Sequence, residues 1–502
     1  MRVDVTVKTK KGALCGEKKN GFVQFLGVPF AKPPVGELRF RKPQPMDKWE
    51  GVRQAKEYAN YCFQPGKAET VAKNSKGSED CLYLNIFTPA CDGEKRPVLV
   101  WIHGGAYLTG AGSSATKQGG NMCIHSDIVV VSIQYRLGAF GCVDFASLSG
   151  ANGKFDTNCG TWDQVAAVNW VIENIADFGG DPECITLLGE SAGACSVLTL
   201  MTTPYLKGKI KRFMLDSPAP FLINSRENGY HAALDVAKRL GISEEEAYKI
   251  ADLSAEELTA AVNESEYDYV NLYPYLLPTA PVVDGDLILE LPFDAVMHGA
   301  ADGIDMLIGT TKDEGTMFAT GDKNGIMPGT VQQMDKFFAD HPEIDRDAVV
   351  RLYPDYPSKK AFQEIGKEIF FHLPSVEIAY HMAKHGKVYL HHFDYAFPVL
   401  KLLGMGAVHC TNSALTANVP LNGIYKFFGL CAGRKGKTVS NRIHHYWCNF
   451  IATGDPNGDG EPHWLECGEE KNTIFIDAVC HVEQAPFEKE RKAYGIIRPY
   501  GN

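Results

Sequence analysis

Short apolar runs alternate with longer segments of helical periodicity along this chain. Runs rich in Val and Ile, bounded by Pro or Gly, predict strands over 82–89, 97–104, 128–136, 183–191, 212–217, 306–311 and 388–395. Apolar residues at helical spacing predict helices over 161–180, 192–203 and 444–456. Strands that alternate with helices predict an α/β fold, with a mostly parallel sheet covered by helices on both faces.

The chain reads as one domain over residues 1–502. Residues 320–385 are more helical and polar, and we interpret them as an insertion over the sheet edge rather than a separate domain. The N-terminal segment has no apolar stretch typical of a signal peptide, and no apolar run approaches the about 18 residues of a membrane span. We therefore expect a cytoplasmic protein, with secretion open for a chain that has lost a signal segment.

The net charge and the cysteine content limit the kinds of partner and of metal site that this chain is expected to have. The 61 acidic and 50 basic residues give a formal net charge of −11, which argues against nucleic acid or an anionic membrane as the main partner. Fourteen cysteines in 502 residues are too few for a disulfide scaffold, and no Cys/His cluster has zinc spacing. We expect mostly buried, reduced thiols.

A Gly-x-Ser-x-Gly motif lies at 189–193, with Ser191 at its centre. An apolar strand runs directly into the motif and a helical pattern leaves it, which is the setting of a nucleophile elbow. Such a turn exposes the serine hydroxyl and aims the N-terminal N–H groups of the following helix at it. The alternative is an ordinary strand-to-helix turn with a serine cap.

A glycine-rich loop, His103-Gly104-Gly105-Ala106, follows the strand 97–102. Loops of this type donate backbone N–H groups to the oxyanion that forms during acyl transfer. We expect the donors to be Gly104, Gly105 and Ala192, the residue after the serine. His103 is expected to be structural, and the alternative for the whole loop is a common glycine-rich turn.

A serine nucleophile needs a histidine base and an acid that orients the base. Asp313 and Glu314 both follow the predicted strand 306–311, and the residues alone leave either of them open as the acid. His409 lies in a loop after the strand 388–395, which favours it as the base. The competing histidines lie inside predicted elements: His391, His392, His444 and His445.

An ordered set of motifs over nearly the whole chain resembles the type-B carboxylesterase family, which includes bacterial p-nitrobenzyl-type esterases and cholinesterases. The set comprises GVPFAKPPVGELRF (27–40), EDCLYLNIFTP (79–89), HGGAYLTG (103–110), YRLGAFG (135–141), the segment 158–194, PVVDG (281–285), DEGTMF (313–318), GAVH (406–409) and WCNFIATGDPN (447–457). The resemblance implies an α/β-hydrolase fold with a gorge-like site, and neither a metal nor an organic cofactor. It also implies Ser191 as nucleophile, Glu314 as acid, His409 as base, and Glu190 as a partly buried carboxylate beside the serine.

Three features depart from the family pattern. Asn412 stands where the family usually has an acidic residue, which puts the anchoring of that loop in doubt. Cys62 and Cys81 match a pair that secreted relatives join as a disulfide, and we expect them to be reduced here. The loop between them holds no tryptophan of the kind that binds choline in relatives, which argues against choline esters.

The sequence thus predicts a serine carboxylic-ester hydrolase that works on a small-molecule ester through a Ser-His-Glu triad and an acyl-enzyme. A catalytically inactive adhesion module of the same fold is the alternative from another class. A lipase, or a specialist hydrolase of carbamates or bulky esters, is the alternative among enzymes. Four aromatic residues could line the substrate pocket or belong to the core: Tyr107, Phe221, Phe318 and Phe397.

Overall fold

The computed structural model describes residues 3–68, 72, 74–114, 119–272, 276–319, 327–416 and 423–498. They form two compact units, each built from separate stretches of chain. The N-terminal unit comprises the described residues of Met1–Arg212, Ile223–Glu266 and Leu277–Glu290. The C-terminal unit comprises those of Phe213–Leu222, Tyr267–Leu276 and Leu291–Asn502.

The N-terminal unit contains a mixed sheet in the order β1-β2-β3-β7-β9-β8-β10, with β4 paired to β2. The strands of the mixed sheet are β1 (Val3–Lys8), β2 (Ala13–Lys19), β3 (Phe22–Pro29), β4 (Val52–Gln54), β7 (Tyr83–Thr88), β8 (Arg96–Ile102), β9 (Val129–Ile133) and β10 (Gly180–Glu190). Two further strands, β5 (Tyr61–Cys62) and β6 (Gly77–Ser78), pair with each other in a separate two-stranded sheet. Strands β9, β8 and β10 are parallel to one another, whereas β1, β2, β3 and β7 pair antiparallel. All five residues of β9 are buried, as expected for a strand covered on both faces.

Among the described residues, six α-helices begin in the N-terminal unit. They are α1 (Gly120–Ser126), α2 (Gly138–Gly141), α3 (Cys159–Asn174), α4 (Ala192–Thr202), α5 (Arg226–Arg239) and α6 (Ala255–Leu272). Helix α3 continues into a 3-10 turn, Ile175–Phe178, which ends at Gly179 with φ of 83°. That left-handed residue ends the helix where the glycine pair predicted its end.

The C-terminal unit carries strands in the order β11-β12-β13-β14-β15. They are β11 (Arg212–Asp216, from Phe213 onward in this unit), β12 (Asp305–Thr311), β13 (Val388–Phe393), β14 (Asn472–Ile476) and β15 (His481–Gln484). Strands β12, β13 and β14 are parallel, and β15 closes the edge antiparallel to β14. All six residues of β13 are buried.

The helices of the C-terminal unit lie between and after these strands along the chain. They are α7 (Pro292–Met297), α8 (Val331–Asp340), α9 (Arg346–Val350), α10 (Lys359–Lys367), α11 (Leu373–Met382), α12 (Pro398–Leu402), α13 (Ser413–Thr416), α14 (Gly423–Thr453) and α15 (Glu488–Tyr494). A π-helical turn, Glu368–His372, joins α10 to α11. Helix α14 is interrupted at Gly433, where φ is 59° and ψ is −149°.

Most predicted elements are confirmed, and the differences have physical reasons. The helix predicted over 444–456 is only the last part of α14, which begins at Gly423 and ends at Thr453. The parallel arrangement holds for the central strands, but the N-terminal strands add antiparallel pairs that the sequence analysis missed. Strand β1 was not predicted because its sequence, VDVTVK, lacks the continuous apolar run of a central strand. The strand is mostly exposed, as that sequence allows.

The helical character predicted for 320–385 is confirmed over 331–382, while residues 320–326 lie outside the described ones. Its position over a sheet edge, and the single-domain organisation, stay predictions. Within the described ranges, none of the helices combines the length and apolar character that a bilayer span requires.

Candidate active site

The turn between β10 and α4 holds Ser191 in a strained backbone conformation. Its φ is 57° and its ψ is −128°, a region that L-residues rarely adopt. A Cβ on Gly189 would lie 2.1 Å from the carbonyl oxygen of Gly193, and one on Gly193 would lie 2.3 Å from that of Ile102. Both glycines are therefore required by the close packing of the turn, as the motif predicts.

Helix α4 starts immediately after the serine. The N–H of Cys195 donates to the Ser191 carbonyl oxygen at 3.0 Å, which closes the first turn, and Ala192 is fully buried. The first N–H groups of an 11-residue helix, and the positive end of its dipole, thus lie at the serine. This arrangement favours negative charge next to Ser191.

The glycine-rich loop packs directly on the elbow. A Cβ on Gly104 would lie 2.4 Å from the Glu190 carbonyl oxygen and 3.1 Å from Cβ of Ser191. Gly105 has φ of 113°, and its carbonyl oxygen accepts from the N–H groups of Leu108 and Thr109 at 3.0 and 2.9 Å. Gly104 is thus held against Ser191, and the role of Gly104, Gly105 and Ala192 as oxyanion donors stays a prediction.

His103 is built into the N-terminal unit as a packing residue. Its ring stacks on Tyr135 with centroids 4.4 Å apart, and the Tyr135 hydroxyl donates to the His103 carbonyl oxygen at 2.7 Å. Burial lowers the pKa of His103 from its usual 6.5 to about 4, against the opposing effect of its contact with the Gly104 carbonyl oxygen. The imidazole is therefore neutral near pH 7, which agrees with the structural role predicted for it.

Glu314 and His409 are hydrogen-bonded to each other within the C-terminal unit. Glu314 opens the 3-10 turn Glu314–Met317 after β12 and is fully buried. One carboxylate oxygen accepts the backbone N–H of Thr311 at 2.7 Å, and the other meets Nδ1 of His409. The imidazole is thereby oriented with Nδ1 toward the acid and Nε2 away from it.

The adjacent carboxylate, Asp313, has a different role. It accepts the backbone N–H of Ala407 at 2.7 Å, and its own N–H donates to the Ala407 carbonyl oxygen at 3.0 Å. Asp313 therefore anchors the loop that carries His409, and Glu314 contacts the imidazole. The residue pattern left both carboxylates open as the acid, and in the structure only Glu314 contacts the imidazole.

The surroundings of Glu314 favour its ionised form. Burial raises the pKa of Glu314, but the charge and hydrogen bond of His409, the nearby Ser217 hydroxyl and the Thr311 N–H together hold it below its usual value. Ser217 follows β11 with φ of 50°, and its backbone N–H donates to the Gly309 carbonyl oxygen at 2.8 Å. Sequence reasoning missed Ser217, although its position directly after a strand was a usable signal.

Two phenylalanine rings pack against the imidazole of His409. Phe318 lies 5.0 Å away between centroids and Phe371, in the π-helical turn, lies 4.8 Å away. Phe371 carried no signal in the sequence, because its contact depends on the fold of a distant segment. Tyr107, Phe221 and Phe397 are buried, and their role in a pocket stays a prediction.

The competing histidines are engaged elsewhere. Nε2 of His391 lies 3.4 Å from Asp216, and Nδ1 of His392 lies 2.5 Å from Asp394. Nδ1 of His444 lies 3.0 Å from the Thr416 carbonyl oxygen, and His445 is exposed. His409 alone among the five histidines considered contacts Glu314.

The residues that depart from the family pattern are all buried. Asn412 is 1 % exposed, and its carbonyl oxygen accepts the N–H groups of Leu415 and Thr416, so its backbone starts α13. Cys62 and Cys81 are free thiols in contact, and the Cys62 thiol together with burial raises the pKa of Cys81 well above its usual range. Their reduced state in solution stays a prediction. Glu190 is 6 % exposed beside the serine, as the resemblance implied.

Comparisons with known proteins show the family to which this chain belongs. The sequence profile of the Carboxylesterase family matches residues 3–492. The para-nitrobenzyl esterase of Bacillus subtilis is 32% identical over 97% of both chains, and the cholinesterase of Mus musculus is 30% identical over 91% of this chain and 80% of its own. A crystal structure of a Geobacillus stearothermophilus carboxylesterase superposes with a TM-score of 0.84 at 35% identity, over 97% of this chain and 99% of that one.

This chain belongs to the carboxylesterase family and has the α/β-hydrolase fold. It is a carboxylic ester hydrolase of the serine type.

Proposed function

We propose that Ser191, His409 and Glu314 form the catalytic triad of this esterase. His409 takes the proton of the Ser191 hydroxyl as the oxygen attacks the ester carbonyl carbon, and a tetrahedral oxyanion forms. His409 then returns the proton to the leaving alcohol, and an acyl-enzyme remains on Ser191. Water, activated by His409, attacks the acyl carbon, and release of the carboxylic acid restores the serine.

The oxyanion is proposed to rest on the backbone N–H groups of Gly104, Gly105 and Ala192. These groups are fixed before the reaction by the glycine packing at the elbow and by the start of α4. Donors fixed in advance cost no reorganisation when the charge develops, and each is worth about 3 kcal/mol of transition-state stabilisation.

One observation carries the proposal: the strained Ser191 backbone, with Gly104 packed against it. Strain of this kind costs about 1–3 kcal/mol and persists where the surrounding structure enforces it. An ordinary serine cap needs no such strain, since a cap residue adopts extended backbone angles.

The test is covalent labelling with a fluorophosphonate, followed by peptide mass analysis. We expect one phosphonyl group per chain, on Ser191, and loss of both labelling and p-nitrophenyl acetate hydrolysis in Ser191→Ala. Ser243→Ala, at an exposed serine whose side chain makes no capping bond, should label and turn over as the unmodified enzyme does. Label on another serine, or activity retained in Ser191→Ala, would refute the assignment.

For substrates, we propose small neutral carboxylic esters rather than choline esters. The para-nitrobenzyl esterase relative acts, by its name, on such a neutral ester, and residues 63–80 hold no tryptophan to bind a choline cation. We expect kcat/KM for p-nitrobenzyl acetate to exceed that for butyrylthiocholine. A series of p-nitrophenyl esters with increasing acyl-chain length distinguishes this esterase activity from that of a lipase, which would prefer long acyl chains.

We also propose that the enzyme works in the cytoplasm. The proposal depends on the prediction that Cys62 and Cys81, which lie in contact, are reduced thiols, as a reducing compartment would keep them. Alkylation and mass analysis of protein from unbroken cells tests this: both cysteines should take the alkylating reagent after denaturation without prior reduction.

A further inference from the structure

Asp302, His381 and His385 converge in the C-terminal unit, and none of them belongs to the residues proposed for ester hydrolysis. One potential ligand atom of each lies within 4.8 Å of the others. Asp302 and His385 are exposed and His381 is half-buried, so the cluster is open to solvent.

The two histidines lie on one face of a single helical segment. Helix α11 ends at Met382, but helical hydrogen bonds continue past it. The N–H of Ala383 donates to the Ala379 carbonyl oxygen, and the N–H of His385 donates to the Met382 carbonyl oxygen, both at 2.9 Å. The helical path thus extends beyond α11, and residues four apart share a face. The ring centroids of His381 and His385 are 5.3 Å apart.

The third member, Asp302, comes from the turn between α7 and β12. The N–H of Gly303 donates to the His385 carbonyl oxygen at 3.1 Å, which ties this turn to the end of the helical segment. Oδ2 of Asp302 lies 3.5 Å from Nδ1 of His385. Ala301 and Met382, beside these residues in sequence, are fully buried, so both backbones are held by the core.

His381 has an imidazole nitrogen that its surroundings do not satisfy. Its Nε2 is buried and has no hydrogen-bond partner among the residues the structure describes. A buried nitrogen left in this state is destabilising, and a ligand bound at the nitrogen would relieve that cost. Two charged side chains act on His381: Lys384 is positive, and Asp302 is negative and counteracts the effect of Lys384.

We propose that Asp302, His381 and His385 bind one divalent transition-metal ion, of the Zn²⁺, Co²⁺ or Ni²⁺ type. Two imidazoles with one carboxylate suit these borderline ions, whereas Mg²⁺ and Ca²⁺ prefer oxygen ligands. Two histidines four residues apart on one helix face are a known metal-binding spacing. A tetrahedral ion would draw the ligand atoms to about 3.3 Å from one another, by side-chain rotation, with water in the fourth position.

The bound ion links the turn at Asp302 to the end of α11. Because the unfolded chain does not bring these two segments together, binding favours the folded state. The ion takes no part in ester hydrolysis and acts as a removable clip on the C-terminal unit.

The test is Co²⁺ titration of the full-length enzyme, followed by visible absorption and calorimetry, with Mg²⁺ and Ca²⁺ titrated in parallel. We expect one equivalent of Co²⁺ with the absorption bands of a nitrogen-containing site and a raised Tm. His381→Gln, His385→Gln and Asp302→Asn should each weaken this binding by about tenfold or more. All three should hydrolyse p-nitrophenyl acetate at the original rate, which shows that they fold.

The matched control is His231→Gln. His231 is also an exposed helical histidine, with Glu227 four residues away at 3.8 Å, but it lacks a second histidine. This variant should bind Co²⁺ like the unmodified protein. Absence of Co²⁺ binding, an affinity that neither His381→Gln nor His385→Gln changes, or equal binding of Ca²⁺ would overturn the proposal.

Discussion

Glu314 is hydrogen-bonded to Nδ1 of His409, while its neighbour Asp313 holds the backbone of the same loop at Ala407. Two adjacent carboxylates thus have separate tasks. One contacts the imidazole, and the other fixes the backbone segment from which the imidazole projects.

This division predicts different consequences for two similar variants. Glu314→Gln should lower kcat for p-nitrophenyl acetate by about 10³–10⁴-fold, because an amide no longer stabilises the imidazolium and its correct tautomer. Asp313→Asn should lower the free energy of unfolding by about 1–3 kcal/mol and reduce kcat far less. Steady-state kinetics gives kcat, and urea titration gives the free energy of unfolding, for both variants. A larger loss of kcat in Asp313→Asn than in Glu314→Gln would contradict the roles assigned to the two carboxylates.

Gly104→Ala tests the close approach of the glycine-rich loop to the elbow. The added Cβ would meet the Glu190 carbonyl oxygen at 2.4 Å, so the loop must shift and the Gly104 N–H moves with it. We expect kcat to fall by about 10²–10³-fold, the effect of losing one oxyanion donor. Gly77→Ala is the matched control, since its nearest neighbours lie at 3.5 Å or more and should tolerate a methyl group. Equal kinetics for the two variants would contradict the proposed oxyanion site.

The ion pair of Arg136 and Asp163 should be the most costly salt bridge to break. The two side chains are 2% and 0% exposed and join through bonds of 2.7 Å. Asp163→Asn leaves the guanidinium uncompensated and should destabilise the fold by about 3–5 kcal/mol. Asp335→Asn breaks an exposed pair with Arg346 and should cost less than about 1 kcal/mol. Chemical denaturation of both variants compares them directly, and a similar cost for each would show that burial is not decisive.

His103 should make the fold sensitive to acid. Burial lowers its pKa from the usual 6.5 to about 4, so between these values the unfolded chain binds a proton that the folded protein does not. Stability is therefore unaffected by His103 above pH 6.5 and falls as the pH drops toward 4, by up to about 3 kcal/mol.

The check is the free energy of unfolding between pH 7 and 4 for the unmodified protein and for His103→Gln, which cannot take up the proton. The profile of the variant should be shallower over this range. Parallel profiles would mean that His103 is protonated at its ordinary pKa in the folded protein. His231→Gln, at an exposed histidine, should leave the profile unchanged.

Local sequence determined the parts whose chemistry is contained in a few neighbouring residues. The strand that runs into Gly189, the helix that follows Ser191 and the glycine-rich loop at Gly104 were all predicted, because a sharp turn and a close backbone approach require particular residues at fixed offsets. His409 was favoured because it lies in a loop beyond a strand. Strand β1 was missed, since an exposed edge strand needs little apolar sequence and forms by pairing with β2.

Tertiary structure alone decided which distant groups meet. The residue pattern left both Asp313 and Glu314 open, the family resemblance favoured Glu314, and the fold turns Asp313 to Ala407 and Glu314 to His409. Ser217 near Glu314 and Phe371 on His409 depend on segments far apart in the chain, as does the approach of Asp302 to His381 and His385. Such contacts follow from how buried strands and helices pack, and no local pattern of residues encodes that packing.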